Sequence, residues 1–561
     1  MTIDPVLIDR AVERARQWSE DARAYPTARS AKLLSQVLDH EGGLDYTVNF
    51  VDGVIRPEDH GVAARNLKHL SKRDSAFLPL YLAAPANVGG RIAPFVPSLA
   101  SSAARRVFAM LVGDLVLDVT PDKLGPAIAK LRADGSRLNL NLLGEAVLGD
   151  KEAAHRMEAT AALIERDDVD YVSLKVSAVI GPHAPYGHAA AVEEAVEKLL
   201  PLYRLAAASS TFINLDMEEY RDLDLTIDVF TQILDREEFL GYRAGIVLQA
   251  YLPDALGRLN GLTEWAQARR ARGGAPIKVR IVKGANLSME RVDATMHGWE
   301  LTVQADKADT DANYIACLDA ALTPERVDAV NIGIAGMNLF TMAYGYELVR
   351  ERGIASGVDY EMLAGMATPQ SHAVRDTVGP LLYYVPVVRP EEYDVAVAYL
   401  VRRLEENAAP ENFMSNVFDL EDADAFALEE KRFRDAAKLV PGLAYGPRRK
   451  QNRFERTVVP DRFENTRDTD PALHANIEWA EKIALRIPGS KLGADVVAEN
   501  MIDSDAEARK AVQSVAAAAK KWAARTGKER AQVLRSVAQA IEDHRGELIE
   551  VAGSEAGKAI D

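Results

Sequence analysis

Tyr399, Arg402, Arg403 and Glu406 lie within the run YLVRRLEEN at i, i+3, i+4 and i+7, which on a helix puts all four on one face. Two adjacent guanidiniums, each with five N–H donors in a planar fork, have the geometry to grip a carboxylate, and the tyrosine ring beside them would pack on an apolar body attached to it. The opposite face carries Val397, Val401, Leu404 and Ala408. An amphipathic helix with its charges in water explains the same pattern, and spacing alone favours that solvated face.

A second set of chemistry-bearing residues sits in or at the ends of short β-rich runs. Glu145 ends RLNLNLLGE, Lys175 lies in DYVSLKVSAV, and Asp216 and Glu218 close STFINLDME with Glu219 just beyond. Gln249 lies in AGIVLQAYLP, Arg280 and Lys283 in IKVRIVKGA, and Tyr384 in LLYYVPVV. A charge in such an apolar run is costly to bury without a partner, so each needs one. A buried ionic layer would satisfy Lys175, Asp216 and Arg280 singly; the convergence of the whole set on one end of a sheet favours a functional site. Two chemistries suit these side chains. Lys175 or Lys283 could form a Schiff base with a carbonyl substrate, as in an aldolase-type lyase. Alternatively, the cations could hold an anionic cofactor and substrate while the cofactor does the chemistry. Glu145 and Asp216 could pair as glycosidase carboxylates, but only 7% of residues are aromatic, few for stacking sugars. No strand-end sulfur or paired-histidine set suggests a metal, and His183 and His188, in the glycine/proline loop GPHAPYGH, read as surface residues.

The elements that must position these residues alternate. Candidate strands are 137–145, 170–179, 210–218, 244–253, 277–285, 327–336, 360–367 and 381–388, with helical stretches between them and a final helix near 391–407. Eight strands so connected match an α/β fold of the (β/α)₈ TIM-like barrel class, whose chemistry sits at the strands' C-terminal ends. An open doubly wound sheet is the runner-up, but no G-x-G-x-x-G follows a strand. Residues 1–110 read as a helical arm, 111–440 as the barrel, 441–469 as a charged, turn-rich linker, and 470–561 as further helices.

At 561 residues the chain exceeds one compact core. Its formal charge of −17 argues against coating nucleic acid. A single cysteine, Cys317, forbids an internal disulfide, fits a reducing cytosol and reads as a core residue. No signal peptide or clean membrane-spanning stretch is visible, which leaves a soluble, cytoplasmic protein open to peripheral membrane contact.

The segments SLKVSAV with Lys175, NLDMEEY with Asp216, VLQAYLP with Gln249, RIVKGA with Arg280, LAGM with Leu363, YVPV with Tyr384, and YLVRRLEEN follow one another across about 140–410. This ordered set resembles the proline dehydrogenase domain of the bifunctional proline utilization A family. The resemblance implies a distorted barrel carrying FAD, with the last helix over its mouth, so that the YLVRRLEEN face turns inward. Arg402 and Arg403 would then pair with the carboxylate of L-proline, and Tyr384, Tyr399 and Leu363 would enclose its ring. Lys175 would lie near the substrate carboxylate, Asp216 would orient Tyr384, and Glu145 and Glu406 would partner the arginines. Gln249, Arg280, Val282 and Lys283 would contact the flavin and its phosphates, with Thr310 and Asn338 also near the cofactor. Hydride transfer from C5 of neutral proline would yield Δ1-pyrroline-5-carboxylate, with a membrane quinone as final acceptor.

The sequence departs from the family pattern at Asn286-Leu287, where two aromatics are usual, and at Gly336-Met337-Asn338, where Thr-His-Asn is usual. The tail from KWAARTGKERAQVL onward resembles the first helices of an aldehyde dehydrogenase, a module that would use NAD. On that resemblance the chain is a truncated bifunctional enzyme whose second activity is absent, without a DNA-binding module and compatible with a homo-oligomer. A catalytically inert scaffold is the reading from a different functional class.

Overall fold

The computed structural model describes residues 2–26, 40, 42–73, 90–112, 115–144, 147–389, 392, 395–396, 399, 403 and 409–560. Eight strands form a closed parallel barrel: β2 (Arg137–Leu142), β3 (Tyr171–Lys175), β4 (Phe212–Asp216), β5 (Gly245–Gln249), β6 (Ile277–Val282), β7 (Val330–Ala335), β8 (Val358–Leu363) and β9 (Leu382–Val388). The barrel closes because β9 pairs with both β8 and β2. A further two-residue strand, β1 (Leu117–Asp118), adds to the outer end of β9 through Leu117↔Val387. The TIM-like barrel read from the alternation of strands and helices is therefore the observed architecture.

Most strands are shorter than the apolar runs suggested, and β8 is shifted two residues toward the N-terminus at its start. β3 stops at Lys175 because Val176–Ala178 wind into a 3₁₀ turn. β8 begins at Val358 and stops at Leu363, just ahead of a turn in which Gly365 adopts φ 79°. These stops make Lys175, Asp216, Gln249, Val282 and Leu363 the last residues of their strands.

Helices between the strands bury apolar stripes on the sheet's outer face. His188–Ser209 presents Val192, Val196, Leu199 and Tyr203 inward, and Leu223–Leu234 presents Val229, Phe230 and Ile233. Pro5–Asp21, near the start of the chain, is capped by Asp4, which accepts from the Val6 N–H at 2.9 Å. It buries Leu7, Ala11, Ala15 and Trp18 and packs mainly on Leu339–Glu351. Trp18 is fully buried and donates from Nε1 to Thr377 Oγ1 at 2.8 Å. Cys317 lies in the core, where burial pushes its thiol up to about 12.

The barrel interior is polar. Inward positions carry Asn139, Asn214, Lys278, Arg280 and Glu361, where branched aliphatic layers are usual. Glycine makes the room for them. A Cβ on Gly333 of β7 would sit 2.1 Å from Glu361 Oε1 and 3.0 Å from Lys278 Cε.

Residues 443–473 carry no helix or strand. They are fastened at buried arginines: Arg449 reaches Glu300 O at 2.8 Å and Asp470 at 3.3 Å, and Arg453 reaches Glu542 at 3.2 Å. Beyond them, Asp505–Ala523 and Gly527–Asp543 begin with capping boxes at Ser504 and Thr526, yet Val512, Leu534 and Ile541 are exposed. Among the described residues no helix is long and apolar enough to cross a membrane.

Candidate active site

Polar residues climb the barrel axis in a continuous chain. Lowest is Lys278, 3% exposed at its side chain, with Nζ 2.6 Å from Asp359 Oδ2, 2.6 Å from Glu361 Oε1, and 5.3 Å from the centre of the Tyr171 ring. Burial alone would lower the Lys278 pKa, but the charges of Glu361 and Asp359 outweigh it and hold the ammonium protonated. Next on the same face of β6 is Arg280. Its Nη2 pairs with Asp216 Oδ1, its Nη1 lies 3.8 Å from Glu361 Oε2, and its guanidinium sits 5.0 Å from the Tyr384 ring centre.

Asp216, 7% exposed, is the hub. Its Oδ1 also accepts from Asn214 Nδ2 at 2.9 Å and Ser173 Oγ at 3.0 Å, and its Oδ2 accepts from Tyr384 Oη at 2.9 Å. Tyr384 Oη in turn accepts from Asn141 Nδ2. Burial, reinforced by the Asp216 charge, drives the Tyr384 pKa far up, so the phenol is a donor at any working pH. The register that pairs Leu363 with Tyr384 sets an apolar side chain beside the ring.

At the rim, Lys175 Nζ pairs with the Glu218 carboxylate, which also accepts from Ser177 Oγ. Gln249 Nε2 donates to the Glu218 carbonyl at 3.1 Å and fixes that loop. Across the mouth, Asp311 takes Lys283 on Oδ1 at 2.6 Å and Lys307 on Oδ2 at 2.5 Å. Burial pulls the Lys283 pKa down to about 8 despite the Asp311 charge. Burial would raise Asp311, but the two lysines hold it below the usual carboxylate range. Two cations on one carboxylate leave a net positive spot suited to a phosphate.

The sequence-derived candidates fall into three groups. Lys175, Asp216, Gln249 and Leu363 end their strands and Lys283 follows β6, while Arg280 and Tyr384 sit earlier in β6 and β9 and reach Asp216 with their side chains; Val282 is half-buried at the end of β6. Tyr399 packs against the core and raises the Tyr384 pKa further by its proximity, and the Arg403 guanidinium lies 5.3 Å from the Tyr399 ring centre. Two candidates have local tasks. Thr310 Oγ1 donates to Asp306 O at 3.2 Å, and Asn338 Oδ1 caps Leu339–Glu351 by accepting from the N–H groups of Phe340 at 3.0 Å and Thr341 at 3.2 Å. Glu145, Arg402 and Glu406, and most of the helix expected near 391–407, lie outside the described residues.

Of the two histidines expected at the surface, His183 is exposed and His188 is half-buried, with Nε2 2.8 Å from Asp228. Sequence reasoning missed Lys278, Glu361, Asn141, Ser173 and Asn214 as members of the network. The signal was available, because each is a polar residue at an alternate position of an otherwise apolar strand.

The description Proline dehydrogenase belongs to the family model that matches residues 125–416, and Aldehyde dehydrogenase family to the one matching 490–561. The chain is 26% identical over 491 residues to the bifunctional protein PutA of Salmonella typhimurium, covering 79% of this chain and 36% of that one. It is similar to the solved structure of proline utilization A from Corynebacterium freiburgense, at 43% identity over 71% of this chain and 38% of that chain, with a TM-score of 0.59. It is also similar to proline utilization A from Bdellovibrio bacteriovorus inactivated by N-propargylglycine, at 25% identity over 86% of this chain and 49% of that chain, with a TM-score of 0.70. The chain spans about a third of the length of the Salmonella and Klebsiella relatives.

Proposed function

Since the chain belongs to the proline dehydrogenase family, we propose that its barrel oxidises L-proline to Δ1-pyrroline-5-carboxylate with FAD, passing the electrons to a membrane quinone as the first step toward glutamate. The barrel unit is taken as residues 111–440, with 1–110 as its helical arm, 441–469 as linker and 470–561 as the aldehyde dehydrogenase-like part. The setting is cytoplasmic, with peripheral contact at the membrane's inner face.

The observation that carries this reading is the Arg280–Asp216–Tyr384 constellation at the barrel mouth. The residues present suit a flavin. Among the described residues, Arg280 Nε and Nη1 have no hydrogen-bond partner although the side chain is only 7% exposed, which leaves donors for an electron-rich heterocycle. Lys283 and Lys307, sharing Asp311, supply a positive spot for its phosphates. A bound flavin supplies the acceptor for the hydride from proline C5.

The chain's own residues do the rest. Asp216 fixes the Tyr384 hydroxyl, so the ring stands beside Leu363 as a wall for the pyrrolidine. Lys175, steadied by Glu218, and the Arg402–Arg403 pair take the substrate carboxylate. Arg280 places positive charge where negative charge accumulates during reduction. Orientation and exclusion of water by this shell are what the fold contributes beyond the cofactor.

The test is the visible spectrum of the purified protein with and without L-proline. Loss of flavin colour on adding L-proline, together with reduction of a dye acceptor, is the expected outcome. A flavin-containing sample that does not bleach overturns the proposal, and borohydride trapping of substrate on Lys175 or Lys283 would establish a Schiff-base lyase in its place.

A further inference from the structure

We propose that Glu361 is a positioning residue: its buried carboxylate balances Lys278 and steadies Arg280, and through Arg280 it sets the reduction potential of the redox group at the barrel mouth. This rests on the flavin reading above. Glu361 sits on β8, two strands from the cations it meets on β6, and β7 lies between. Its side chain crosses that gap over Gly333, which is in register with Arg280 on one side and Asp359 on the other. Any side chain at position 333 would occupy the space of the Glu361 carboxylate, since a Cβ there falls 2.1 Å from Oε1.

Lys278 and Arg280 are two positions apart on one face of β6, so their charged groups share a water-poor interior and repel each other. Among the described residues, three carboxylates answer them. Asp216 faces Arg280, and Asp359 faces Lys278 but is shared with Arg137 at 3.1 Å. Glu361 alone touches both buried cations, at 2.6 Å and 3.8 Å. Counting Arg137, the column holds three cations and three anions among the described residues, so neutralising Glu361 leaves one buried positive charge directly beneath Arg280. In this water-poor interior that charge is weakly screened, and an added positive charge favours the reduced, more negative form of a bound flavin.

The variants are Glu361→Gln, Lys278→Met and their combination, each in the full chain. Glu361→Gln is expected to raise the flavin midpoint potential by about 30 mV, equal to tenfold in the two-electron equilibrium constant. Lys278→Met should shift it the opposite way, and the charge-balanced double variant should return close to wild type. Thermal unfolding of the flavin-free proteins gives a second readout, in which the two changes must be strongly non-additive. A Glu361→Gln protein that keeps flavin at an unchanged potential, whatever its melting temperature, overturns the inference and leaves the functional reading standing. If Glu361→Gln does not fold, an unshifted potential in Lys278→Met overturns it equally. A wild-type protein that binds no flavin overturns the functional reading and this inference with it.

Discussion

Tyr384 is held from both sides of its hydroxyl, donating to Asp216 and accepting from Asn141, whereas Asp216 is shared among four partners including a buried guanidinium. The two residues therefore fail differently. Tyr384→Phe removes one neutral donor and should cost about 1 kcal/mol of stability, while lowering kcat/KM for proline by roughly tenfold, or about 1.4 kcal/mol, through loss of ring orientation. Asp216→Ala strands Arg280 without its main counter-charge and should cost about 3–5 kcal/mol. Urea midpoints on both variants decide this; equal losses would mean Asp216 is not the hub. Lys283 gives a pH signature. Its folded pKa, about 8, lies below the unfolded value near 10.4, so the unfolded chain binds more protons in that window. Its contribution to unfolding free energy therefore rises with pH from about 8 and levels off near 10.4. Melting temperatures of wild type and Lys283→Met across that range should show the smaller upward slope in the variant, and identical slopes would refute the depressed value.

At the scale of elements, what was legible in the sequence was what repeats. Eight strands with helical segments between them stand out because turn residues punctuate them, and the order of the strand-end residues placed Lys175, Asp216, Gln249 and Arg280 at one end of the sheet. β1 was invisible because two residues carry no periodicity. Lys278 and Glu361 were overlooked for a different reason: alternation tells which face a residue takes, not which distant strand it will meet across a closed barrel. Asn338 had a readable alternative, since an amide directly before an apolar helical run is a strong N-cap. Glycine positions were equally silent, because the role of Gly333 depends on what a neighbouring strand places opposite it. Gly333→Ala should therefore behave as an overpacking change costing about 1–3 kcal/mol, larger in the wild-type background than in Glu361→Ala, which vacates the contested space; equal losses in the two would show that Gly333 does not make room for that carboxylate. The helix Pro5–Asp21 is as much a part of the barrel's coat as the helices between strands. Trp18→Ala, which empties a fully buried site, should cost about 3–5 kcal/mol by urea denaturation, and a loss below 1 kcal/mol would show that this helix is dispensable.

For the whole molecule, residues 443–473 join the barrel to the helices from His474 onward as a mostly exposed stretch pinned at a few arginines. Arg462 is 86% exposed at its side chain, with no helix or strand around it. Brief trypsin treatment should cut first near Arg456, Arg462 and Arg467 and release a fragment that retains the barrel, as mass spectrometry of the first products would show; earlier cuts inside the barrel would contradict this. The polar barrel axis has a thermodynamic consequence at this same scale. Heat capacity rises when apolar surface is hydrated on unfolding and falls when polar surface is. A barrel filled by Asn139, Asn214, Lys278, Arg280 and Glu361 gives up less apolar surface from its centre than one filled with valine, isoleucine and leucine. Its free energy of unfolding should therefore bend more gently with temperature, with cold denaturation pushed further below the freezing point of water.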